Sequence, residues 1–372
     1  METGKCAVEK VELTSSSKVA PAFWENKKVF LTGHTGFKGG WLSIWLSQMG
    51  ANVKGYALEP HTTPSLFDVA NINSLVESDI GDIRDINKLQ QSIKLFNPDI
   101  LIHMAAQPLV RKSYIDPVET YETNIMGSIN ILEAVRSCPN LKSVIIVTSD
   151  KCYENQEWVW GYREHDPMGG HDPYSSSKGC VELITASYRN SFFTNTEMAN
   201  IATARAGNVI GGGDWANDRL VPDILRSFEK NIPVIIRSPN AIRPWQHVLE
   251  PLSGYLILAE KLYKEGKSYA EGWNFGPHDK DSRSVLCIVD QIVNLWGDGK
   301  RQLDNSSNPH EANILKLDIS KAISRLKWQP RWDVNIALKR VVDWHLTWID
   351  GGNMQEECLK QIKEYQQEKS SD

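Results

Sequence analysis

An excess of basic charge, an apolar run long enough to cross a bilayer and any clustered cysteine spacing are all missing from this 372-residue chain. The formal net charge is −5, which argues against a broad nucleic-acid surface and leaves any anionic ligand to be met by local arginines. The longest apolar stretches, such as Val144-Ile145-Ile146-Val147 and Ile100-Leu101-Ile102-His103-Met104-Ala105-Ala106, are far too short for a membrane span and have the length of buried parallel strands. Six cysteines, Cys6, Cys138, Cys152, Cys180, Cys287 and Cys358, show neither metal-ligand nor paired spacing, so the reading is reduced thiols, a cytoplasmic location and no metal centre. Residues Met1 to Ala22 lack the apolar core of a signal peptide, and the polar run Thr14-Ser15-Ser16-Ser17-Lys18 stands where that core would be. The expectation is a flexible leader or expression remnant over 1–24. No internal repeat is visible.

What is present has the makings of a large α/β domain with a smaller cap, since 41% of the residues are hydrophobic. Lys28-Val29-Phe30-Leu31-Thr32 is an apolar strand that runs into Gly33-His34-Thr35-Gly36-Phe37-Lys38-Gly39 and then a helix. In such a turn Gly33 permits the tight bend, Gly36 lets the backbone approach a pyrophosphate, and Gly39 lets the helix pack close to the strand. The free N–H groups of the helix start face the anion. About 140 residues later, Tyr174-Ser175-Ser176-Ser177-Lys178 sets a tyrosine and a lysine one helical turn apart on one face. A buried ammonium beside a phenol is expected to lower the phenol from about 10 toward neutrality, making it a base for an alcohol.

The glycine turn, the strand end Val147-Thr148-Ser149-Asp150-Lys151 and the Tyr-x-x-x-Lys pair occur in the order found in extended short-chain dehydrogenase/reductases acting on nucleotide-linked sugars. The resemblance runs from about Lys27 to about residue 345. Thr148-Ser149-Asp150-Lys151-Cys152-Tyr153-Glu154 resembles the sugar-nucleotide 4,6-dehydratases, which follow the hydroxyl residue with an acidic pair; here Lys151 stands in place of the second acid. Thr-Gly-His-Thr-Gly-Phe-Lys-Gly with Ser-Asp-Lys is similar to the branch that acts on CDP-glucose. The resemblance implies a doubly wound parallel Rossmann sheet with a smaller C-terminal substrate-binding domain. Residues 25–200 would be mainly the NAD-binding part. Residues 201–350 would be mainly substrate-binding, with returns to the Rossmann domain, and 351–372 a polar C-terminal tail.

The same resemblance assigns residues to roles. NAD would be met by Gly33, Thr35, Gly36, Phe37, Lys38, Gly39, Asp82, Ile83, Ala105, Ala106, Gln107, Asn124, Tyr174 and Lys178. Asp82 would accept from the adenine amine, although Gly81-Asp82-Ile83-Arg84-Asp85 also fits a turn with a helix cap at Asp85. Asn124 matches an asparagine that braces the active-site strands and lysine. Glu59 is the nearest carboxylate for the adenosine ribose, but it lies past the expected strand end, so NAD over NADP rests on the family. On the substrate side, Asn208 in Arg205-Ala206-Gly207-Asn208-Val209 would touch a sugar diphosphate, and Arg219 and Arg243 would grip the phosphates through a planar fork. Arg283 is a weaker candidate. His310 and Glu311 stand where related dehydratases carry another arginine. Thirteen tryptophans offer stacking surface, most of it expected in the core.

The implied chemistry begins with Tyr174, supported by Lys178 and Ser149, taking the proton of the glucose 4-hydroxyl while NAD accepts the hydride of C4. The ketone acidifies C5, Asp150 protonates the departing 6-hydroxyl, and hydride returns to C6, leaving a 4-keto-6-deoxy sugar of the kind that supplies deoxysugars for surface polysaccharides. Lys151 admits two readings: it favours the Asp150 carboxylate, or, as a desolvated neutral amine, it takes the C5 proton. A sugar-nucleotide 4-epimerase, a dehydratase for another nucleotide sugar and a non-enzymatic NAD sensor are the alternatives. Asp150 argues against the epimerase, and the intact Ser149, Tyr174 and Lys178 against the sensor. Helices near Val118–Val135 and Tyr174–Ser191 resemble the pair that forms a family dimer interface, so a homodimer or larger assembly such as a tetramer is expected, with no nucleic-acid or membrane partner.

Overall fold

The apolar segments do become strands, and each is apolar on both faces because helices cover both. The computed structural model describes residues 18–195, 197–304 and 314–368, so His310 and Glu311 lie outside the described residues. The strands are β1 (Lys28–Thr32), β2 (Asn52–Ala57), β3 (Glu77–Ile80), β4 (Ile100–His103), β5 (Ser143–Val147), β6 (Asn200–Ala206) and β7 (Gly272–Phe275). They form one parallel sheet in the order β3-β2-β1-β4-β5-β6-β7. This is the doubly wound parallel Rossmann sheet expected from the sequence.

The principal helices are α1 (Phe37–Gln48), α2 (Ile86–Phe96), α3 (Gly127–Arg136), α4 (Pro173–Ser191), α5 (Leu220–Glu229), α6 (Leu249–Glu265), α7 (Val285–Trp296), α8 (Val334–Ile349) and α9 (Met354–Gln367). The period of two along the strands splits the core. Val29, Leu31, Ile145 and Val147 pack with Trp41, Trp45, Leu256 and Ile362 on the face covered by α1, α6 and α9. Phe30, Leu101, Val144 and Ile146 pack with Leu89, Ile131 and Val181 on the face covered by α2, α3 and α4. A separate cluster joins Leu225, Ile288, Ile292, Leu338 and Val341 of α5, α7 and α8.

Two stretches differ from the sequence expectation. Within 1–24, Pro21–Trp24 makes a helical turn and Trp24 is fully buried, its neighbour Phe23 meeting Tyr263 edge-on at 5.4 Å. Over 351–372, where a polar tail is expected, Met354, Cys358, Ile362 and Tyr365 recur at helical spacing and bury one face of α9. The Tyr365 hydroxyl donates to Glu250 on α6 at 2.7 Å, which ties this helix to the back of the sheet. Among the described residues, Cys138, Cys152, Cys180, Cys287 and Cys358 are free thiols, and no helix is long and apolar enough to cross a membrane.

Candidate active site

The strand order reverses between β1 and β4, and beyond the carboxyl ends of these strands lies a cleft of about 600 Å³. Its first wall is the glycine turn. Gly33 has φ +80°, and a Cβ there would lie 2.9 Å from the Ala105 nitrogen. A Cβ on Gly39 would come within 2.0 Å of the Gly33 carbonyl oxygen, so any side chain would prise α1 off the turn. Thr35 is fixed by donating to the Leu58 carbonyl at 2.8 Å. The bare backbone at the start of α1 is therefore open to an anion, and these residues fit the pyrophosphate of a dinucleotide. Phe37 and Lys38 line the same wall. Lys38 donates to the Tyr255 hydroxyl at 3.0 Å, and burial together with Lys178 and Arg219 lowers its ammonium to about 7.

Further along the wall are Glu59, Asp82, Ile83, Ala105, Ala106 and Gln107. Asp82 accepts from the Arg84 backbone N–H at 2.8 Å and from its guanidinium at 2.9 and 2.6 Å. Burial raises its carboxyl, but Arg84 outweighs burial and holds it below the usual range. Asp85 caps α2, accepting from the Lys88 N–H at 3.1 Å. Asn124 is set behind the wall rather than in it. Its side chain accepts from the Gln107 N–H at 2.8 Å and donates to the Gln107 carbonyl at 3.1 Å and the Ser177 hydroxyl at 2.8 Å, bracing the strand end against α4.

Ser149, Asp150, Lys151, Tyr174 and Lys178 all reach this cleft. Local sequence explains their placement. Asp172 caps α4 by accepting from the Ser175 N–H at 2.9 Å, and Pro173 takes the first helical position, so Tyr174 and Lys178 occupy successive turns of one face. Lys178 donates to the Val147 carbonyl at 3.4 Å, and burial lowers its ammonium to about 8. The expectation that the Tyr174 phenol is lowered toward neutrality is not what the protein groups alone produce. Burial, helped by the neighbouring Asp150, pushes it up to about 12 against an opposing hydrogen bond with Ser149 and the charge of Arg219, and Lys178 is directed to the strand carbonyl. Ser149 donates to Asp150 Oδ1 at 3.0 Å, while Asp150 Oδ2 is buried without a hydrogen-bond partner. Burial raises the Asp150 carboxyl against the pull of Lys151, Ser149 and Arg243, so it holds a proton more readily than a solvated acid.

The opposite wall carries Asn208, Arg219 and Arg243. Asp214 orients Arg219 by accepting at 2.9 Å and raises its guanidinium further. Arg243 lies on the short strand Ile242–Pro244, its guanidinium donating to the Ile242 carbonyl at 2.9 Å. Arg283 pairs beside it in register but is not part of the wall. Sequence reasoning missed Arg111, Lys112 and Trp245, which do line it. It also missed the support behind Ser149. There Glu182 on α4 accepts from Thr148 at 2.5 Å, Thr203 at 2.6 Å and Arg205 at 2.9 and 2.8 Å. Nothing in the spacing of these four residues marks them as neighbours; only the polar residues inside otherwise apolar strands hint at a buried partner. Among the described residues no His, Cys, Asp or Glu cluster could hold a metal.

A parallel Rossmann sheet, a Gly-x-x-Gly-x-x-Gly turn and a Ser-Tyr-Lys group at one cleft define an extended short-chain dehydrogenase/reductase. The profile of the family described as GDP-mannose 4,6 dehydratase matches residues 30–341, and the chain belongs to that family. It is 59% identical over 348 residues to CDP-glucose 4,6-dehydratase of Salmonella typhimurium, spanning 92% of this chain and 97% of the relative. Solved structures share the fold at lower identity. UDP-glucose 4-epimerase from Thermotoga maritima, solved with UDP-glucose, superposes with a TM-score of 0.77 at 21% identity, covering 87% of this chain and 99% of that one. dTDP-glucose 4,6-dehydratase from Bacillus anthracis, solved with NAD, gives 0.73 at 18% identity, covering 88% and 99%.

Proposed function

We propose that this chain is an NAD-dependent hydro-lyase that converts CDP-glucose to CDP-4-keto-6-deoxyglucose. The observation that carries the reading is a buried Asp150, its carboxyl raised by burial and hydrogen-bonded to Ser149, in a protein 59% identical to a CDP-glucose 4,6-dehydratase. Loss of a hydroxyl as water needs such an acid, whereas inversion at C4 does not.

The glycine turn and Ala105–Gln107 hold NAD, and Arg219 and Arg243 hold the diphosphate of the substrate. Bound NAD supplies a cationic acceptor for the hydride of C4 and a donor for its return to C6. Tyr174, hydrogen-bonded to Ser149, takes the proton of the 4-hydroxyl as its phenolate, a form that the positive charges of bound NAD and Lys178 would favour against the burial that raises the phenol, and Lys178 holds positive charge near the developing oxyanion. Asp150 gives its proton to the 6-oxygen, so that water leaves while the proton on C5, acidified by the ketone, is removed. Lys151, next to Asp150 in sequence and on the same cleft wall, is the residue proposed to take that C5 proton, a role that requires its neutral amine. Because the hydride taken from C4 would return to C6, no net reduction of NAD is expected. Exposed Val118, Met126 and Leu183 on the faces of the 117–136 segment and α4 support a homodimer built from these helices, and free thiols support a cytoplasmic setting.

Incubation with CDP-glucose and NAD in deuterated water tests the proposal. The expected product has lost water and carries deuterium at C5 and a new 6-methyl group. An unchanged carbon skeleton inverted at C4 would establish the epimerase in its place.

A further inference from the structure

Gly207 follows β6 directly, yet its backbone is not left-handed, so conformation alone does not call for glycine there. What calls for it is Asp150. A Cβ at 207 would lie 1.9 Å from Asp150 Oδ2, 2.3 Å from its Cγ and 3.0 Å from Oδ1. The backbone is tethered there, because Gln246 Nε2 donates to the Gly207 carbonyl at 3.1 Å and to the Phe275 carbonyl at 2.9 Å. Ala206, one residue earlier, is paired with Phe275 in the sheet. The carboxyl of Asp150 is thus wedged between the Ser149 hydroxyl on one oxygen and the bare Cα of residue 207 on the other.

We propose that Gly207 is a positioning residue for the loss of water, its missing side chain forming the tight slot that holds the Asp150 carboxyl against Ser149. The inference rests on the dehydratase reading given above. The Asp150 oxygen in that slot has no hydrogen-bond partner, so the ionised form is costly and the carboxyl is shifted toward the protonated form that the leaving hydroxyl needs. The charges and titrating groups acting on it come from several elements: Lys38 on α1, Lys151 and Cys152 on the turn after β5, Tyr174 on α4, Arg243 on the 242–244 strand and Tyr255 on α6. None of these fills the slot. A methyl group at 207 would drive the carboxyl off Ser149 into the cleft, where it meets water and ionises. Oxidation at C4, which uses Tyr174, Lys178 and Ser149, would continue.

The test is a cycle of Gly207→Ala, Asp150→Ala and the double variant, each assayed with NAD and CDP-glucose and each melted thermally. With Asp150 present, Gly207→Ala is expected to keep C4 oxidation within about threefold and to slow dehydration about 100-fold, so that NADH absorbance persists. The same methyl should lower the melting temperature with Asp150 present and leave it unchanged in the Asp150→Ala background, a coupling that a general packing defect would not show. Dehydration at the wild-type rate in Gly207→Ala, an equal loss of oxidation and dehydration, or an equal thermal cost in both backgrounds overturns the proposal. If the unmodified enzyme forms no 4-keto-6-deoxy product, the dehydratase reading fails, and the melting cycle still decides whether the slot exists.

Discussion

Glu182 and Arg205 form a buried two-point ion pair directly behind the turn that carries Ser149, with guanidinium nitrogens 2.9 and 2.8 Å from the two carboxylate oxygens. Burial opposes the Glu182 charge, but Arg205 and the hydroxyls of Thr148 and Thr203 outweigh it and hold the carboxyl below its usual range. Removing one partner leaves the other charged in an apolar interior. Arg205→Met is therefore expected to cost about 3–5 kcal/mol, read by urea unfolding. Because Thr148 donates to Glu182 and Arg205 donates to the Tyr153 hydroxyl at 2.6 Å, kcat should fall as well, through displacement of the Ser149–Asp150 turn.

Lys178 gives the pH dependence of the first proton transfer. Its lowered value of about 8 means that the ammonium is present below that pH and is lost as pH rises through it. Oxidation at C4, followed in single turnover, should accordingly fall above about pH 8. Lys178→Arg stays charged and should lack this descending limb, even if it is slower. A limb that survives in Lys178→Arg would assign the titration to another group.

Arg219 and Arg243 are expected to act on binding more than on chemistry. Each offers a charge-assisted contact to a phosphate, worth about 1.5–3 kcal/mol, so Arg219→Met or Arg243→Met should raise KM about 10- to 100-fold. Lysine at either position should recover only part of this, because an ammonium lacks the planar fork. Titration calorimetry with CDP-glucose checks the point directly. Arg283, outside the wall, is the control and should leave binding unchanged on substitution by methionine.

Glu250 sets a pH limit on the fold. Buried on α6, it accepts from the backbone N–H groups of Arg331 and Trp332 and from Tyr365, yet burial outweighs these bonds and raises its carboxyl from 4.5 to about 7. The sign follows from linkage: the folded state holds this proton more tightly, so the contribution is full below about pH 4.5 and is lost as pH rises through about 7. The loss amounts to about 3 kcal/mol for a shift of this size. Glu250→Gln should flatten the fall in unfolding free energy between about pH 5 and about pH 8. An unchanged slope in the variant would place the titration elsewhere.

The strand-turn-helix at Lys28–Gly39, the Tyr174–Lys178 spacing and the acid after Ser149 were all legible in the linear chain, because glycine turns, helical periodicity and apolar strands are local properties. So was the α/β class, since apolar runs of strand length alternate with helical segments. Even α9, expected as a polar tail, carried its apolar stripe at Met354, Cys358, Ile362 and Tyr365; its high polar content masked the period. What only the tertiary structure decided is which distant groups meet. Asp150 comes against the bare backbone of Gly207, Glu182 gathers Thr148, Thr203 and Arg205, and Asn124 is drawn behind the cleft wall instead of into it. The physical reason is desolvation. The titration of Asp150, Tyr174 and Lys178 is set mainly by how far folding removes each from water, and that depends on neighbours many residues away along the chain.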